Sequence, residues 1–370
     1  MDKKLVKNFT TIGVLLLAIV LLMLLSNHPQ TVEKFYSEGF YPWICRILHP
    51  VLNLFPFSVG DVIYALVVGY LLYAAVQIVR FSLKRQWRRL INIFLGLAIG
   101  VEAAILIFYV FWGMNYFRPS MDEQLHLLNT SYTTQQLADV SERMIDSANI
   151  SRMRLTGADT TQTNDTIYSR AIAAIKVLSK DSAEFRTYSP AIKPSLITPL
   201  LNYLTTSGYY NPFTTEAQLN YQVPLFERPI TVCHELSHQT GWGGEDEASF
   251  AGFLAATGSK DRLLRYSAWQ MAMDECMHAL RYRDTAENNR LKKLIAPIVR
   301  YDLRKQRRYW LSFHGKLGRM SGAFYDDFLK VNNQPHGLDT YNQMVLLLVA
   351  WEKSRSQSAT DSLKSAVLSR

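Results

Sequence analysis

Cysteine is scarce in this chain of 370 residues: Cys45, Cys233 and Cys276 are all it has. Three widely spaced thiols exclude the disulfide-stapled scaffold of many small secreted proteins. Cys233 directly precedes His234, and neighbouring helical positions point about 100° apart, so Cys233 is expected in the core rather than on a metal beside that histidine. A strong charge surplus is missing too. The formal net charge is +9, but ten positive and five negative residues fall within 1–114, leaving +4 for the remainder. That surplus does not argue for nucleic acid as a partner, and the basic run from Arg281 to Arg308 reads as a solvated helix face. No internal repeat is found.

Long apolar runs are absent after Trp112 but concentrated before it, at 9–26, 62–79 and 90–112. Each can cross a hydrocarbon layer of ~30 Å at ~1.5 Å per residue. Lys3, Lys4 and Lys7 precede the first run in the manner of a secretory signal. No small-residue cleavage pattern follows it, however, so an uncleaved anchor is expected. Basic residues also cluster between the second and third runs, at Arg80, Lys84, Arg85, Arg88 and Arg89. These clusters orient the N-terminus to the cytoplasm and everything after Trp112 to the opposite side. Glu102 falls near the middle of the third run, where an ionised carboxylate is costly. It is expected either to serve a function or to sit protonated against Tyr70 or Gln77.

The expected architecture is therefore mainly α: a three-helix transmembrane anchor at 1–114, then a mostly helical extracytoplasmic domain at 115–370. Thr133 and Thr134 are candidate caps for a helix, and helical periodicity returns in "YSRAIAAIKVLSK". Between them, 153–167 reads as a polar loop. The stretch from Pro190 to Ile230 is broken by Pro, Gly and Asn and is expected to form short strands. Three further helices follow, in "DRLLRYSAWQMAMDECMHALRYR", "AENNRLKKLIAPIVRYDLRKQRRYW" and "LDTYNQMVLLLVAWEKSR".

Chemistry concentrates in "TVCHELSHQTGWGGEDEASF", Thr231 to Phe250. His234 and His238, four apart on a helix, project two imidazoles from one face, suited to one cation. Glu235 lies on the adjacent face, where a carboxylate could take a proton from water activated by zinc and pass it to a leaving amine. Glu227-Arg228-Pro229 supplies a helix start and Gly241 a stop. A catalytic zinc needs a third protein ligand. The metzincin pattern would place a histidine at 244, and that residue is glycine. The candidates are then Glu245, Asp246 and Glu247, at the start of a second helix. Glu247 is favoured because the small Ala248 beside it would allow the helices to approach. Glu245 is the alternative ligand or the acceptor for a histidine's other ring N–H, and Asp246 is expected to face solvent. Tyr209, Tyr210 and Asn211 stand where an edge strand could pair with an extended substrate. His314 and His336 read as ordinary surface histidines.

Several stretches resemble an uncharacterised bacterial family of membrane-anchored, zincin-like proteins. They are "FWGMNYFRPS", "KPSLITPLLNYLTTSGYYNPFTTEAQLNYQVP", "HELSHQTG" with "EDEASFAGFL", and "YDDFLKVNNQPHGLDTYNQMV". The resemblance covers most of the chain. It implies a bacterial inner-membrane location and a metallopeptidase core without naming a substrate. The family pattern has Asn where this chain has Ser249. The acid-Ala-small-Phe helix is also similar to the third-ligand helix of gluzincin peptidases, which supports Glu247 by analogy. The reading that follows is a membrane-anchored zinc metallopeptidase acting on peptides or proteins near the membrane. Two other readings stay open: a catalytically silent scaffold with a structural metal, and a zinc amidohydrolase acting on a non-protein envelope amide.

Overall fold

The computed structural model describes residues 3–127, 131–338 and 343–368. It is mainly helical, with one small sheet. The chain divides into two compact units, one of Met1–Arg118 with Asn211–Glu216, the other of Pro119–Tyr210 with Ala217–Arg370.

The first unit holds three helices long and apolar enough to cross a membrane: Lys3–Ser26, Val59–Leu83 and Trp87–Phe111. Their most apolar windows bury only 6, 6 and 11 % within the chain, so their flanks need a hydrocarbon environment. The stretch between the first two is itself helical. It runs from a turn at Pro29–Val32 through a π-helical segment at Glu33–Phe40 into an α-helix at Tyr41–Leu52. The second span begins where Ser58 Oγ accepts from the Asp61 N–H at 3.0 Å. The Glu216 carboxylate also accepts there, from the N–H groups of Val59 at 3.2 Å and Gly60 at 2.7 Å. A carboxylate at this end satisfies donors that the helix itself leaves unpaired and complements its dipole. Arg118, just after the third span, is paired with Glu33 through Nε at 2.8 Å. The buried Oε2 of Glu102 has no hydrogen-bond partner, and no bond to Tyr70 or Gln77 is found among the described residues.

The second unit buries an extensive apolar core around helices Thr134–Met153, Asn164–Asp181, Arg228–His238, Glu245–Gly258 and Arg262–Arg283. Thr133 and Gln136 close a reciprocal cap on the first of these. Cys233 and Cys276 lie in this core as free thiols. The polar loop expected at 153–167 contains a single helical turn, Gly157–Thr160, and Thr163 caps the next helix earlier than periodicity suggests. Between Pro190 and Ile230 lie three short strands, β1 (Ile192–Pro194), β2 (Gly208–Asn211) and β3 (Glu216–Leu219), ordered β1-β3-β2 with β1 and β3 parallel. A short helix, Thr198–Tyr203, interrupts them.

The long helix expected over 286–310 is split into Thr285–Lys292 and Pro297–Phe313, because Pro297 has no N–H to continue the ladder. Arg300, Arg304, Lys305, Arg307 and Arg308 are exposed, as a solvated basic face requires. A further helix, Lys316–Val331, follows. Residues 339–342, at the start of the helix expected from Leu338, fall outside the described residues, and Met344–Leu368 is helical.

One close approach sets the geometry of this unit. A Cβ on Gly252 would stand 2.9 Å from the His234 backbone nitrogen and 3.1 Å from the Cys233 carbonyl carbon. Backbone cannot yield as a side chain can, so Gly252→Ala should force the two helices apart and destabilise the unit by ~1–3 kcal/mol. Thermal unfolding of the full chain followed by circular dichroism checks this; an unchanged midpoint would show that the crossing is loose.

Candidate metal centre

The motif helix, Arg228–His238, starts at Glu227 with Pro229 in its first turn. It ends before Gly241, whose φ of +90° belongs to the left-handed region that glycine enters without strain. That turn has a chemical consequence. It brings the Trp242 carbonyl to 2.7 Å from His238 Nδ1. The Trp242 side chain is fully buried against Phe185, and its indole N–H donates to the Glu184 carbonyl at 3.1 Å, so the carbonyl is held in place. A carbonyl only accepts, so His238 carries a proton on Nδ1 and turns Nε2 inward.

His234 is oriented by a different partner. Its Nδ1 lies 3.1 Å from Ser249 Oγ, so a serine hydroxyl orients the imidazole. The two Nε2 atoms consequently face each other at 3.2 Å. Two nitrogens bound to one tetrahedral zinc at ~2.0–2.1 Å would be roughly 3.3 Å apart, so the pair fits such a cation.

The acid that meets them is Glu245, not Glu247. Glu245 Oε2 is 3.1 Å from His234 Nε2, and Oε1 is 3.7 Å from His238 Nε2. Glu247 instead accepts from the Met121 N–H at 2.8 Å and the Gly244 N–H at 3.3 Å, capping its own helix. Helical geometry explains the correction. Glu245, Ser249 and Gly252 are spaced i, i+4, i+7 and share the face that crosses the motif helix, whereas Glu247 is turned about 140° from Gly252. The small residue that permits the crossing is Gly252 rather than Ala248, although Ala248 is also buried. Asp246 is half-buried rather than solvent-facing, and burial together with the adjacent Glu247 pushes its carboxyl well above the usual range.

Glu235 is buried and lies with His234 and His238 in a group whose ligand atoms fall within 4.8 Å of one another. Strand β2 passes directly over it, since a Cβ on Gly208 would be 2.8 Å from Glu235 Oε1. Tyr210 on the same strand places its ring 5.9 Å from that of His238. Asn211 is not part of this group. Its Oδ1 accepts from the N–H groups of Phe213 at 3.0 Å and Thr214 at 3.2 Å, which holds the hairpin turn. His314 and His336 are exposed and uninvolved.

Electrostatically the cluster is tightly linked. Burial pushes the Glu235 carboxyl up to about 8, only partly offset by His238. Burial opposes a charge on His238, yet Glu245, with Glu235 and the Trp242 carbonyl, outweighs it and raises His238 to about 9. For His234 burial prevails, and its pKa is lowered. The facing Nε2 atoms leave room for one hydrogen between them, and the opposite directions of the two shifts favour His238 as its carrier. Burial would raise Glu245, but the two histidines hold it well below the ordinary carboxylate range. A cation bound here would take over the role of that proton, coupling metal uptake to proton release.

One residue escaped motif reasoning. Tyr325, on helix Lys316–Val331, donates its hydroxyl to Glu245 Oε1 across 80 positions of sequence. The only available hint was its place in the "YDDFLKVNNQPHGLDTYNQMV" stretch, since no spacing rule links it to the motif.

The chain is thus a membrane protein carrying a buried His-His-Glu cluster beside a second buried glutamate. Residues 36–349 match the model of the DUF3810 family, described as a protein of unknown function, and the chain belongs to that family. No curated protein and no solved structure matches it.

Metal analysis of the purified full-length protein separates the two acids. Glu245→Ala should abolish stoichiometric zinc. Glu247→Ala should retain zinc while losing ~0.5–2 kcal/mol of stability as its helix cap disappears; loss of zinc in Glu247→Ala alone would reverse the assignment.

Proposed function

We propose that this protein is a membrane-anchored, zinc-dependent metallopeptidase whose metal is held by His234, His238 and Glu245, with Glu235 as general base. The observation that carries this reading is the convergence of both Nε2 atoms and the Glu245 carboxylate on one point, with a further buried carboxylate alongside. A zinc ion bound there would supply Lewis acidity toward a carbonyl and would ease deprotonation of water.

The chain's own residues account for the remaining work. Ser249 and the Trp242 carbonyl fix the two imidazole planes, and Tyr325 fixes one oxygen of Glu245, so the donor set is assembled in advance. Glu235 accepts a proton from the attacking water on its carboxylate and returns it to the departing amine nitrogen. An extended peptide is the substrate class that suits β2, an outer strand of the sheet lying against Glu235 with Tyr210 beside His238. A purely structural metal site would have no use for Glu235, which favours the enzyme over a silent scaffold. By the basic residues that flank the spans, the catalytic unit lies outside the cytoplasm and the N-terminus within it. The family resemblance adds the bacterial inner membrane as the location.

Two variants of the full chain in lipid nanodiscs test this reading. Glu235→Gln should abolish hydrolysis of a mixed peptide library, by at least ~100-fold, with zinc content unchanged; hydrolysis that survives the substitution removes Glu235 from the base role. Tyr325→Phe should weaken zinc retention by about tenfold in competition with a chelator. An unaltered zinc affinity would show that the hydroxyl does not position Glu245.

A further inference from the structure

The helical stretch between the first two spans, Pro29–Leu52, shows an anomaly for a segment facing water. Phe35, Phe40, Trp43, Ile47, Val51 and, just past its end, Leu54 are all strongly exposed, from 49 % for Phe40 to 79 % for Leu54. Tyr36, Tyr41, Ile44, Cys45 and His49 are buried, so one face packs within the first unit and another presents an apolar stripe. A contiguous exposed apolar surface of this kind marks a binding face.

The π-helical segment is what makes the stripe continuous. Phe35 and Phe40 are five apart, and in an α-helix they would diverge by about 140°. The wider turn at Glu33–Phe40, where the Tyr41 N–H donates to the Tyr36 carbonyl, reduces the divergence to roughly 50°. From Phe40 on, steps of three and four bring Trp43, Ile47 and Val51 onto the same face of the helix Tyr41–Leu52. Two cations border the stripe: Lys34 Nζ lies 5.4 Å from the Phe35 ring centroid, and the Arg46 guanidinium 5.4 Å from that of Trp43.

Connectivity selects the partner. Two residues separate Ser26, the end of the first span, from Pro29, and six separate Leu52 from Val59, the start of the second. At ~3.5 Å per residue these links extend at most ~10 and ~25 Å. Links this short keep both ends of the segment near the level at which the two spans emerge, and the spans themselves present exposed apolar side chains.

We propose that Pro29–Leu52 is an interfacial membrane element, with its apolar stripe sunk into the headgroup–acyl boundary of the bilayer that the spans cross. Trp43 sits at the depth where indole rings collect, and Lys34 and Arg46 lay their stems along neighbouring rings while reaching lipid phosphates. The segment fixes the depth of the spans at one surface, which anchors by spanning would leave to slide. The inference is independent of any catalytic reading.

Spin labels on the full chain in phosphatidylcholine–phosphatidylglycerol vesicles test it, with the three buried native thiols monitored in unsubstituted protein as background. Labels at Phe40→Cys, Ile47→Cys and Val51→Cys should collide preferentially with oxygen, whereas a label at the exposed Glu38→Cys should favour a water-soluble nickel chelate. Nickel accessibility on the stripe equal to that at position 38 would overturn the proposal. So would low accessibility to both quenchers with spin–spin broadening that dilution by unlabelled chain relieves, since a second copy would then cover the stripe. As a measurement needing no thiol, lipids brominated along the acyl chain should quench wild-type fluorescence more than that of Trp43→Phe; equal quenching places Trp43 outside the bilayer.

Discussion

The crossing of two short helices at Gly252 governs the candidate site. With no side chain at that position, the helix Glu245–Gly258 rests on the backbone of His234. Everything on the same face is then set by the 3.6-residue turn: Ser249 falls beside His234 Nδ1, and one turn earlier Glu245 falls beside both Nε2 atoms. A longer side chain at the crossing would move an orienting hydroxyl and a carboxylate together.

The turn between these helices contributes the other half of the arrangement. Gly241 lets the chain reverse, and the buried indole of Trp242 locks the reversal, so that a backbone carbonyl rather than a side chain sets the tautomer of His238. The cluster is rigid because its orienting partners belong to packed elements. Its charges are also interdependent: two imidazoles and two carboxylates share one buried volume, and the state of each depends on the others. A divalent cation bound in such a cluster would take the place of a proton.

The membrane unit follows the same economy of backbone groups. Glu216 satisfies the first amides of the second span, Arg118 is held by Glu33, and a π-helical turn rotates Phe35 into line with the residues that follow. Each device places a polar group where it is satisfied and an apolar one where lipid can receive it.

Much of this was legible from residue order because it depends on nearest neighbours along one helix. The apolar runs marked the spans, Thr133 its cap, and the i, i+4 histidines with their adjoining glutamate one face of a helix, since helical period and capping are local properties. Choosing between Glu245 and Glu247 was not local: both lie in the first turn of one helix, and only the partner helix distinguishes the two faces. Tyr325 reaches the cluster through packing that no spacing along the chain encodes. The stripe on Pro29–Leu52 stayed hidden because a π turn interrupts the α period that would have revealed it. Local periodicity determined which residues could act, and long-range packing determined which acid, which hydroxyl and which apolar face meet a partner.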